Sequence, residues 1–253
     1  MQSARHEKLV ALVNEKGMLS TGELCGLLGV SQATVRRDIT ELDRQNRIRK
    51  THGGAMAHIR HATEDMPMPM RRHTRREEKA RIAAAALELV GEGESVFLDS
   101  GTTTYELAVK LRAFRNLTIL TNDIDIAFEV ANSGTNNLIV AGGVRKKSSA
   151  TLIGHFTEQM LSQLHVDRAF LSVDAVDIDS GFMDYNTDEI PIKRVMIRNA
   201  RSRVVLCDHA KFSNAAFVSI CPLDAADLII TGRELDMSIA ERIRQAGTQV
   251  LAV

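Results

Sequence analysis

The chain contains 253 residues, 44% of them hydrophobic, and its 32 Lys and Arg residues balance 32 Asp and Glu residues. This length fits one large or two smaller domains, and the apolar content is sufficient for a hydrophobic core. No apolar run approaches the roughly 18 residues of a membrane span, and the N-terminus leads into charged residues rather than a signal-peptide core. These features exclude a membrane or secreted class, so we expect a cytoplasmic protein with no membrane partner.

The overall neutrality hides an uneven distribution of charge. Residues 1–81 contain 16 Lys and Arg against 10 Asp and Glu, whereas the remaining residues contain 16 against 22. A basic front on an acidic body orients the chain toward phosphate by one end, because phosphate contacts supply most of the sequence-independent affinity for nucleic acid.

The cysteines do not form a metal-binding or disulfide pattern. Cys25, Cys207 and Cys221 are widely spaced, odd in number and without a CxxC pair. The sequence Cys207-Asp208-His209 offers the side chains of a metal corner but lacks a second pair of ligands. We therefore predict no metal and no cofactor, and we interpret the cysteines as small buried apolar residues.

The first 30 residues predict two helices. An apolar face is formed in the first helix by Leu9, Val10, Leu12 and Val13. The pair Ser20-Thr21 can cap a second, short helix that ends at Gly29, a residue that readily takes the left-handed conformation. Two short helices around a tight glycine turn are typical of a helix-turn-helix.

The third helix is the most informative element of the sequence. Ser31 can cap it through its hydroxyl group, because the first backbone N–H groups of a helix have no internal partner. From Gln32 onward, Val35, Ile39 and Leu42 recur at i, i+4 and i+7. This spacing predicts one apolar stripe that faces a core.

The opposite face of this helix predicts contact with DNA. Its residues carry amide and guanidinium groups, which bond adenine and guanine edges in the major groove. The segment Arg47–Gly54 alternates and ends in glycines, as the basic hairpin of a winged helix does. The predicted contacts to double-stranded operator DNA are Ser20, Ser31, Gln32, Ala33, Thr34, Arg36, Arg37, Arg49, Lys50 and His52. On the helix pattern alone, a packing module with a solvated Arg36–Arg37 pair is an open alternative.

A linker is predicted after this module. Residues 62–70 contain two of the four prolines and have no helical or strand periodicity, which favours an extended segment. The basic run Arg71–Arg76 either touches the DNA backbone or forms a solvated helix face. We predict a winged helix-turn-helix domain over residues 1–58, a linker over 59–75 and an effector domain over 76–253.

The remainder of the chain predicts an α/β domain. Helices are predicted over Arg81–Val90, Tyr105–Leu111 and Ile192–Arg198. Apolar runs of strand length occur at Val96–Leu98, Thr118–Leu120, Leu138–Val140, Ala169–Leu171, Val204–Leu206 and Leu228–Ile230. Runs without polar alternation indicate strands covered on both faces, and their alternation with helices favours a largely parallel sheet.

The loop Asp99–Thr104 follows the first of these strands and opens the helix from Tyr105. In such sheets ligands bind beyond the carboxyl ends of the strands. Gly101 permits close approach of the backbone, the N–H groups at the helix start can hold an anion, and three threonines add hydroxyl groups. Taken alone, the loop also fits an ordinary helix cap.

Other strand ends carry polar residues that complement this loop. Lys211 would pair with a phosphate dianion, while Asp99, Asn122 and Asp174 could bond sugar hydroxyl groups. The predicted effector is therefore a small phosphorylated polyol or sugar. Its predicted contacts are Asp99, Ser100, Gly101, Thr102, Thr103, Thr104, Asn122, Gly143, Asp174 and Lys211.

Several motifs together resemble one family. Arg5, the run Ser31–Ile39 and the run His52–Ala55 resemble the N-terminal signature of the DeoR family of bacterial transcription regulators. The match continues through motifs similar to those of that family's effector domain: Phe97–Thr104, Thr121-Asn122, Gly142-Gly143, Glu189 with Lys193-Arg194, and Asp208 with Lys211-Phe212.

The resemblance covers nearly the whole chain and has structural and functional implications. It implies an effector domain similar in fold to ribose phosphate isomerase and glucosamine phosphate deaminase, and a sugar phosphate or related metabolite as the effector. It also adds Glu189 and Lys193 to the effector-binding residues. Ala175 departs from the pattern, because many relatives are expected to carry glycine there, and this change bears on the identity of the ligand.

These observations predict a sequence-specific DNA-binding regulator and not an enzyme. We expect a repressor of a carbohydrate operon that is released when a phosphorylated sugar shifts its conformational equilibrium. Paired half-sites require paired readers, so a homodimer or homotetramer is expected. The alternatives are a sugar-phosphate isomerase or deaminase with a DNA-binding arm, and an activator or ligand-free nucleoid-type binder.

Overall fold

The computed structural model describes residues 2–16, 18–45, 47–51, 53–57, 68–132, 134–147, 149–212 and 216–253. Two compact units divide the chain, Met1–Thr74 and Arg75–Val253. Of the predicted DNA contacts, His52 lies outside the described residues. Residues 59–67 of the predicted linker also lie outside them.

The N-terminal unit is a winged helix. Its helices are α1 (Gln2–Lys16), α2 (Thr21–Leu28), α3 (Gln32–Arg44) and α4 (Met68–His73). Its strands are β1 (Met18–Ser20), β2 (Ile48–Lys50) and β3 (Gly54–Ala57), which form an antiparallel sheet in the order β1-β3-β2. The predicted three helices and basic hairpin are confirmed.

Local hydrogen bonds explain where α2 and α3 begin and end. Ser20 and Glu23 form a reciprocal capping box, in which the Ser20 Oγ accepts from the Glu23 N–H and the Glu23 carboxylate accepts from the Ser20 N–H. The Ser31 Oγ accepts from the Thr34 N–H and caps α3. Gly29 ends α2 with φ 66°, in the left-handed region that favours glycine.

A buried carboxylate ties α1 to α3 within this unit. Asp38 is 2% exposed although it lies on a helix whose outer face is polar. Arg5 donates two hydrogen bonds to it, from Nε at 2.6 Å and from a terminal nitrogen at 3.0 Å, and the His6 ring lies 3.0 Å away. The Arg5 hydrogen bond is the main reason that the pKa of Asp38 lies below its usual value. The hydrophobic core of the unit includes Leu9, Val13, Leu24, Val35, Ile39 and Leu42.

Part of the predicted extended linker is helical. The structure forms α4 over Met68–His73, which begins inside residues 62–70, where the sequence predicted no helix, and continues into the basic run from Arg71. Pro69 misled the prediction, because proline is tolerated in the first turn of a helix, where its missing N–H would have no partner. The prediction of an extended conformation is therefore wrong for residues 68–70, whereas a helix was one of the two interpretations of the basic run that follows.

The second unit is built on a seven-stranded parallel sheet. The strands are β4 (Ser95–Leu98), β5 (Thr118–Thr121), β6 (Asn137–Val140), β9 (Val166–Leu171), β12 (Ala200–Leu206), β14 (Leu228–Thr231) and β15 (Gln249–Ala252). Their order is β15-β14-β12-β9-β4-β5-β6, and every neighbouring pair is parallel. The α/β fold class is confirmed, and all six predicted strands are present.

Among the residues of this unit that the structure describes, two smaller sheets and six further α-helices accompany the large sheet. The helices are α5 (Arg76–Leu87), α6 (Thr102–Leu111), α7 (Ile124–Ala131), α8 (His155–Ser162), α9 (Ile190–Arg198) and α10 (Met237–Gln245). Strands β10 (Ala175–Asp177), β11 (Gly181–Asp184) and β13 (Val218–Cys221) form an antiparallel sheet, and β7 (Val144–Arg145) pairs with β8 (Leu152–Ile153). The sequence analysis predicted neither small sheet, because their strands are too short to show a pattern.

Burial explains why the large sheet was readable from the sequence. Phe97 and Val205 belong to the core on one face of the sheet, whereas Leu98 and Val204 belong to the core on the other. The expectation of two covered faces is correct for these central strands and wrong for β6, an edge strand in which Val140 is 37% exposed. β15 was missed because its residues are mostly exposed.

Two further expectations concern cysteines and membranes. Cys207 is buried as predicted, whereas Cys25 and Cys221 are only half-buried. Within the ranges that the structure describes, we find no helix with the length and apolar character needed to span a bilayer.

Candidate functional site

The outer face of α3 presents the side chains that the sequence assigned to DNA. Gln32, Ala33, Arg36 and Arg37 are exposed, while Val35 and the other stripe residues are buried beneath them. The helix is therefore held by its apolar face and leaves a row of amide and guanidinium groups accessible. This arrangement permits hydrogen bonds to base edges without any rearrangement of the core.

A groove lies beside this row of side chains. It has a volume of about 350 Å³ and is bounded by the start of α2, by α3 and by the turn of the β2–β3 hairpin. Gln32 and Arg36 line it from α3, and Lys50 lines it from the hairpin. A cation, a guanidinium group and a helix N-terminus around one groove are suited to a phosphate backbone.

The other predicted DNA contacts occupy the borders of the same face. Ser20 and Ser31 are exposed, but both hydroxyl groups already serve as helix caps. Thr34 is half-buried, and its Oγ1 lies 3.0 Å from the Ser31 Oγ. Arg49 is exposed on the hairpin, and the exposed Lys50 donates to the Thr40 hydroxyl group at 3.1 Å.

In the second unit, the loop after β4 is packed closely against the loop after β9. Gly101 begins α6 in an extended conformation, and a Cβ atom there would lie 2.3 Å from the Ser172 Oγ. Any larger residue would push these two loops apart, because the contact is with a buried neighbour. The predicted requirement for glycine therefore has a steric cause.

Helix α6 begins three residues before the predicted Tyr105, so the three threonines form its first turn. Thr102, Thr103 and Thr104 are all at most 5% exposed. No side chain caps the helix at Gly101. Because Gly101 has no side chain, it cannot cap these first-turn N–H groups, and a helix N-terminus without a cap is suited to an anion.

Buried hydroxyl groups and a carboxylate surround this helix start. Ser100 donates to Asp123 Oδ2 at 2.7 Å and lies 2.6 Å from the Thr151 Oγ1. Asp123 also caps α7 by accepting from two backbone N–H groups. Burial raises the pKa of Asp123, against the lowering effect of the Ser100 hydrogen bond. The sequence analysis missed Asp123 and Thr151, although Asp123 directly follows the predicted Thr121-Asn122 motif.

A buried ion pair lies beneath the loop. Lys193, 2% exposed, donates to Asp99 Oδ2 at 2.5 Å and to the Ser172 carbonyl oxygen at 2.8 Å, and Asp184 lies 3.5 Å away. Asp99 also accepts from the N–H groups of Ser100 and Ser172. Both predicted residues therefore act through protein partners in this structure, where they fix the two loops.

The charges of this group depend on one another. Burial alone would lower the pKa of Lys193, but the neighbouring carboxylates of Asp99, Asp184 and Glu189 raise it above its usual value. Burial raises the pKa of Asp184 to about 8, because Lys193 offsets that effect only in part and Asp174 and Glu189 add repulsion. Lys193 is therefore a permanent cation within a group that has an excess of carboxylates.

Two cations sit at the rim of this buried group. Lys146 donates to Glu189 Oε1 at 2.9 Å, and Lys211 donates to Asp174 Oδ1 at 3.1 Å. Both lysines are partly exposed, at 20% and 23% of their side chains. Sequence analysis missed Lys146, although it lies in the basic run that follows Gly143. The side chains of these two lysines are thus partly open to solvent, unlike that of Lys193.

One acceptor at the carboxyl edge has no protein partner. The Asn122 Nδ2 donates to the Leu152 carbonyl oxygen at 3.2 Å, but the buried Asn122 Oδ1 accepts no hydrogen bond from the described residues. A buried carbonyl group without a donor costs free energy, and a bound hydroxyl or amino group would remove that cost. Gly143, also predicted, packs against α8: a Cβ atom on it would lie 2.0 Å from the Thr157 Oγ1, and Thr157 donates to the Gly142 carbonyl oxygen.

Comparison with protein families matches both units. Residues 5–59 match the DeoR-like helix-turn-helix domain, and residues 74–233 match the DeoR C terminal sensor domain. The Glycerol-3-phosphate regulon repressor of Escherichia coli (strain K12) is 32% identical over 95% of this chain and 94% of the relative. The Transcriptional repressor AccR of Agrobacterium fabrum is 31% identical over 95% of each chain.

Solved structures resemble only part of this chain. Ribose 5-phosphate isomerase A from Methanocaldococcus jannaschii aligns with a TM-score of 0.41 at 18% identity and covers 55% of both chains. The eIF2B beta subunit from Chaetomium thermophilum aligns with a TM-score of 0.46 at 13% identity and covers 68% of this chain and 54% of that one.

The winged helix and the two matched domains define a DNA-binding transcriptional regulator rather than an enzyme. The chain belongs to the DeoR family, as the motifs of both units predicted.

The buried ion pair allows a direct test of its structural role. We expect Lys193→Met to lower the free energy of unfolding by about 3–5 kcal/mol, because it leaves Asp99 and Asp184 buried without their cation. Adding Asp99→Asn should restore part of the loss. Urea unfolding of the full chain measures both effects, with Lys147→Met, at an exposed lysine, as a control expected within about 0.5 kcal/mol. A Lys193→Met variant as stable as the wild type would contradict this role.

Proposed function

We propose that this protein is a repressor of a carbohydrate-related operon, which binds operator DNA through α3 and the β2–β3 hairpin. The exposed row of Gln32, Arg36 and Arg37 above a buried apolar stripe carries this proposal. The names of the relatives support the direction of control, since they include the Glycerol-3-phosphate regulon repressor and the Transcriptional repressor AccR.

We further propose that a small phosphorylated polyol or sugar releases the repressor from DNA. The uncapped first turn of α6 would hold the phosphate group, with Lys146 and Lys211 as nearby cations. The Asn122 Oδ1 would accept a hydrogen bond from a ligand hydroxyl group, which supplies the donor that it lacks. Glycerol 3-phosphate is the first compound to test, because a relative is named for it.

Self-association is supported by an exposed apolar surface along the β6 edge of the large sheet. Ten large apolar side chains are exposed among the described residues, and six belong to α7, β6, β7 and α8: Ile124, Phe128, Val140, Val144, Phe156 and Met160. Strand β6 has no lysine or proline that would block pairing at its free edge. We propose that a second copy of the chain covers this surface, which would supply the second DNA reader for a paired operator site.

The DNA-binding proposal predicts that Arg36→Ala weakens binding to a specific duplex by about 1–3 kcal/mol, since one base contact is lost. A duplex selected by the wild-type chain from a random-sequence pool supplies the probe, and fluorescence anisotropy gives the affinity. Arg198→Ala removes the same charge from an exposed site in the α/β unit and should leave the affinity unchanged. Equal affinities for Arg36→Ala and the wild type would rule out this face of α3.

The effector proposal predicts that glycerol 3-phosphate or another sugar phosphate raises the melting temperature, whereas the unphosphorylated parents do not. Asn122→Ala should weaken binding about tenfold, the equivalent of one hydrogen bond of ~1.4 kcal/mol. Asn132→Ala, at an exposed asparagine on the end of α7, is the matched control. A ligand that stabilises the Asn122→Ala variant as well as the wild type would exclude Asn122 from the site.

The self-association proposal predicts a mass of at least two chains by light scattering. Phe156→Glu should shift the equilibrium toward the monomer, because a charge on this exposed phenylalanine would be buried in the interface. Met237→Glu changes an even more exposed residue on α10 and should leave the mass unchanged. A wild-type chain that is monomeric at micromolar concentration would contradict the proposal.

A further inference from the structure

The loop that carries Lys211 also holds the first turn of α5. A 3₁₀ turn, His209–Phe212, follows β12 and places Lys211 beside Asp174 at the rim of the buried group around Lys193. The same turn contacts β10, which begins directly after Asp174. A displacement of Lys211 would therefore shift the whole turn, because the turn has only four residues and few backbone degrees of freedom.

Glu78 forms the contact between this turn and α5. Glu78 is 4% exposed as a residue, and its carboxylate accepts a hydrogen bond from the His209 backbone N–H at 2.7 Å. The His209 Nδ1 lies 2.9 Å from the other carboxylate oxygen. A Cβ atom on Gly232 would lie 2.1 Å from the Glu78 Oε1, so the carboxylate is seated directly on the backbone after β14. Glu78 is thus fixed by contacts with His209 and with the Gly232 backbone, and it links the 3₁₀ turn to the first turn of α5.

Arg75 provides a second contact at the same place. Its guanidinium group lies 3.6 Å from Asp208 Oδ1, in the residue that precedes the 3₁₀ turn. Arg75 begins α5 with φ 53°, a left-handed conformation that costs free energy for a residue other than glycine. The chain continues from Arg75 directly into Thr74, the last residue of the DNA-binding unit.

The side chains around Glu78 form an ion-pair network rather than a vacant metal site. Glu78, His209 and Glu234 bring ligand-type atoms within 4.8 Å of one another. Both oxygens of Glu78 face His209, and both oxygens of Glu234 accept hydrogen bonds from Arg81. Every carboxylate oxygen in the group is therefore already paired.

We propose that Glu78 and His209 couple the effector pocket to the segment that leads into the DNA-binding unit. This inference rests on the proposed function. A bound phosphate group would compete with Asp174 for Lys211, and the 3₁₀ turn would move with that lysine. The movement changes the contacts of Glu78 and Arg75, and so the first turn of α5 and the chain that precedes it. Glu78 and His209 are positioning residues in this scheme and touch neither ligand nor DNA.

Lys211→Met tests the coupling without a known effector, because it separates the turn from Asp174. The probe is the duplex selected by the wild-type chain, and the readout is its dissociation constant. We expect Lys211→Met to weaken binding roughly fivefold or more in the wild-type background, within the usual range of allosteric coupling. In a Glu78→Ala background the same change should alter binding less than twofold. His209→Ala, at a partly exposed side chain, should act likewise and serves if Glu78→Ala does not fold.

The control is Glu234→Ala, which breaks the neighbouring Arg81 pair one turn further along α5. In the Glu234→Ala background Lys211→Met should keep its full effect on DNA affinity. In a Glu78→Gln background, where the side chain retains an acceptor for the His209 N–H, Lys211→Met should keep part of that effect. An effect of Lys211→Met that is equal in the wild-type, Glu78→Ala and His209→Ala backgrounds would overturn the coupling, as would a Lys211→Met chain with wild-type affinity. Failure of the wild-type chain to select any duplex would instead refute the proposed function itself.

Discussion

The ammonium group of Lys193 lies in the interior of the α/β unit, and the arrangement of the loops around the candidate effector site depends on it. It joins the loop after β4, through Asp99, to the loop after β9, through the Ser172 carbonyl oxygen, and it faces Asp184 at the end of β11. A buried cation of this kind requires its carboxylates, and the carboxylates require the cation. These bonds hold the loop that leads into α6 in place.

A similar device shapes the DNA-binding unit. Asp38 is buried on the inner side of α3 and is held by Arg5 and His6 from α1. The pair fixes the orientation of α3, whose outer side carries Arg36 and Arg37. In both units a buried charge therefore positions an exposed or accessible group that is suited to phosphate, one on DNA and one on a small molecule.

The partly exposed cations differ from the buried ones in what they can do. Lys193 has no freedom to leave its partners, whereas Lys146 and Lys211 are paired at the rim, where an anion can compete for them. Lys211 belongs to the turn whose His209 contacts Glu78 at the start of α5. In the proposed mechanism the buried group around Lys193 shapes the effector site, and the rim lysines are the part that a ligand moves.

Much of this protein is determined by local sequence. The caps at Ser20 and Ser31, the stripe of Val35, Ile39 and Leu42, and six of the seven strands of the large sheet follow from hydrogen-bonding groups and apolar runs within a few residues. The sequence did not determine α4, the exposed β15, or the partners of Asp99 and Lys193, which are 94 residues apart. Nor did it identify Asp123, Lys146 or Glu78 as parts of polar networks. Those contacts exist only because the parallel sheet brings distant strand ends to one edge, where burial decides which charges must pair.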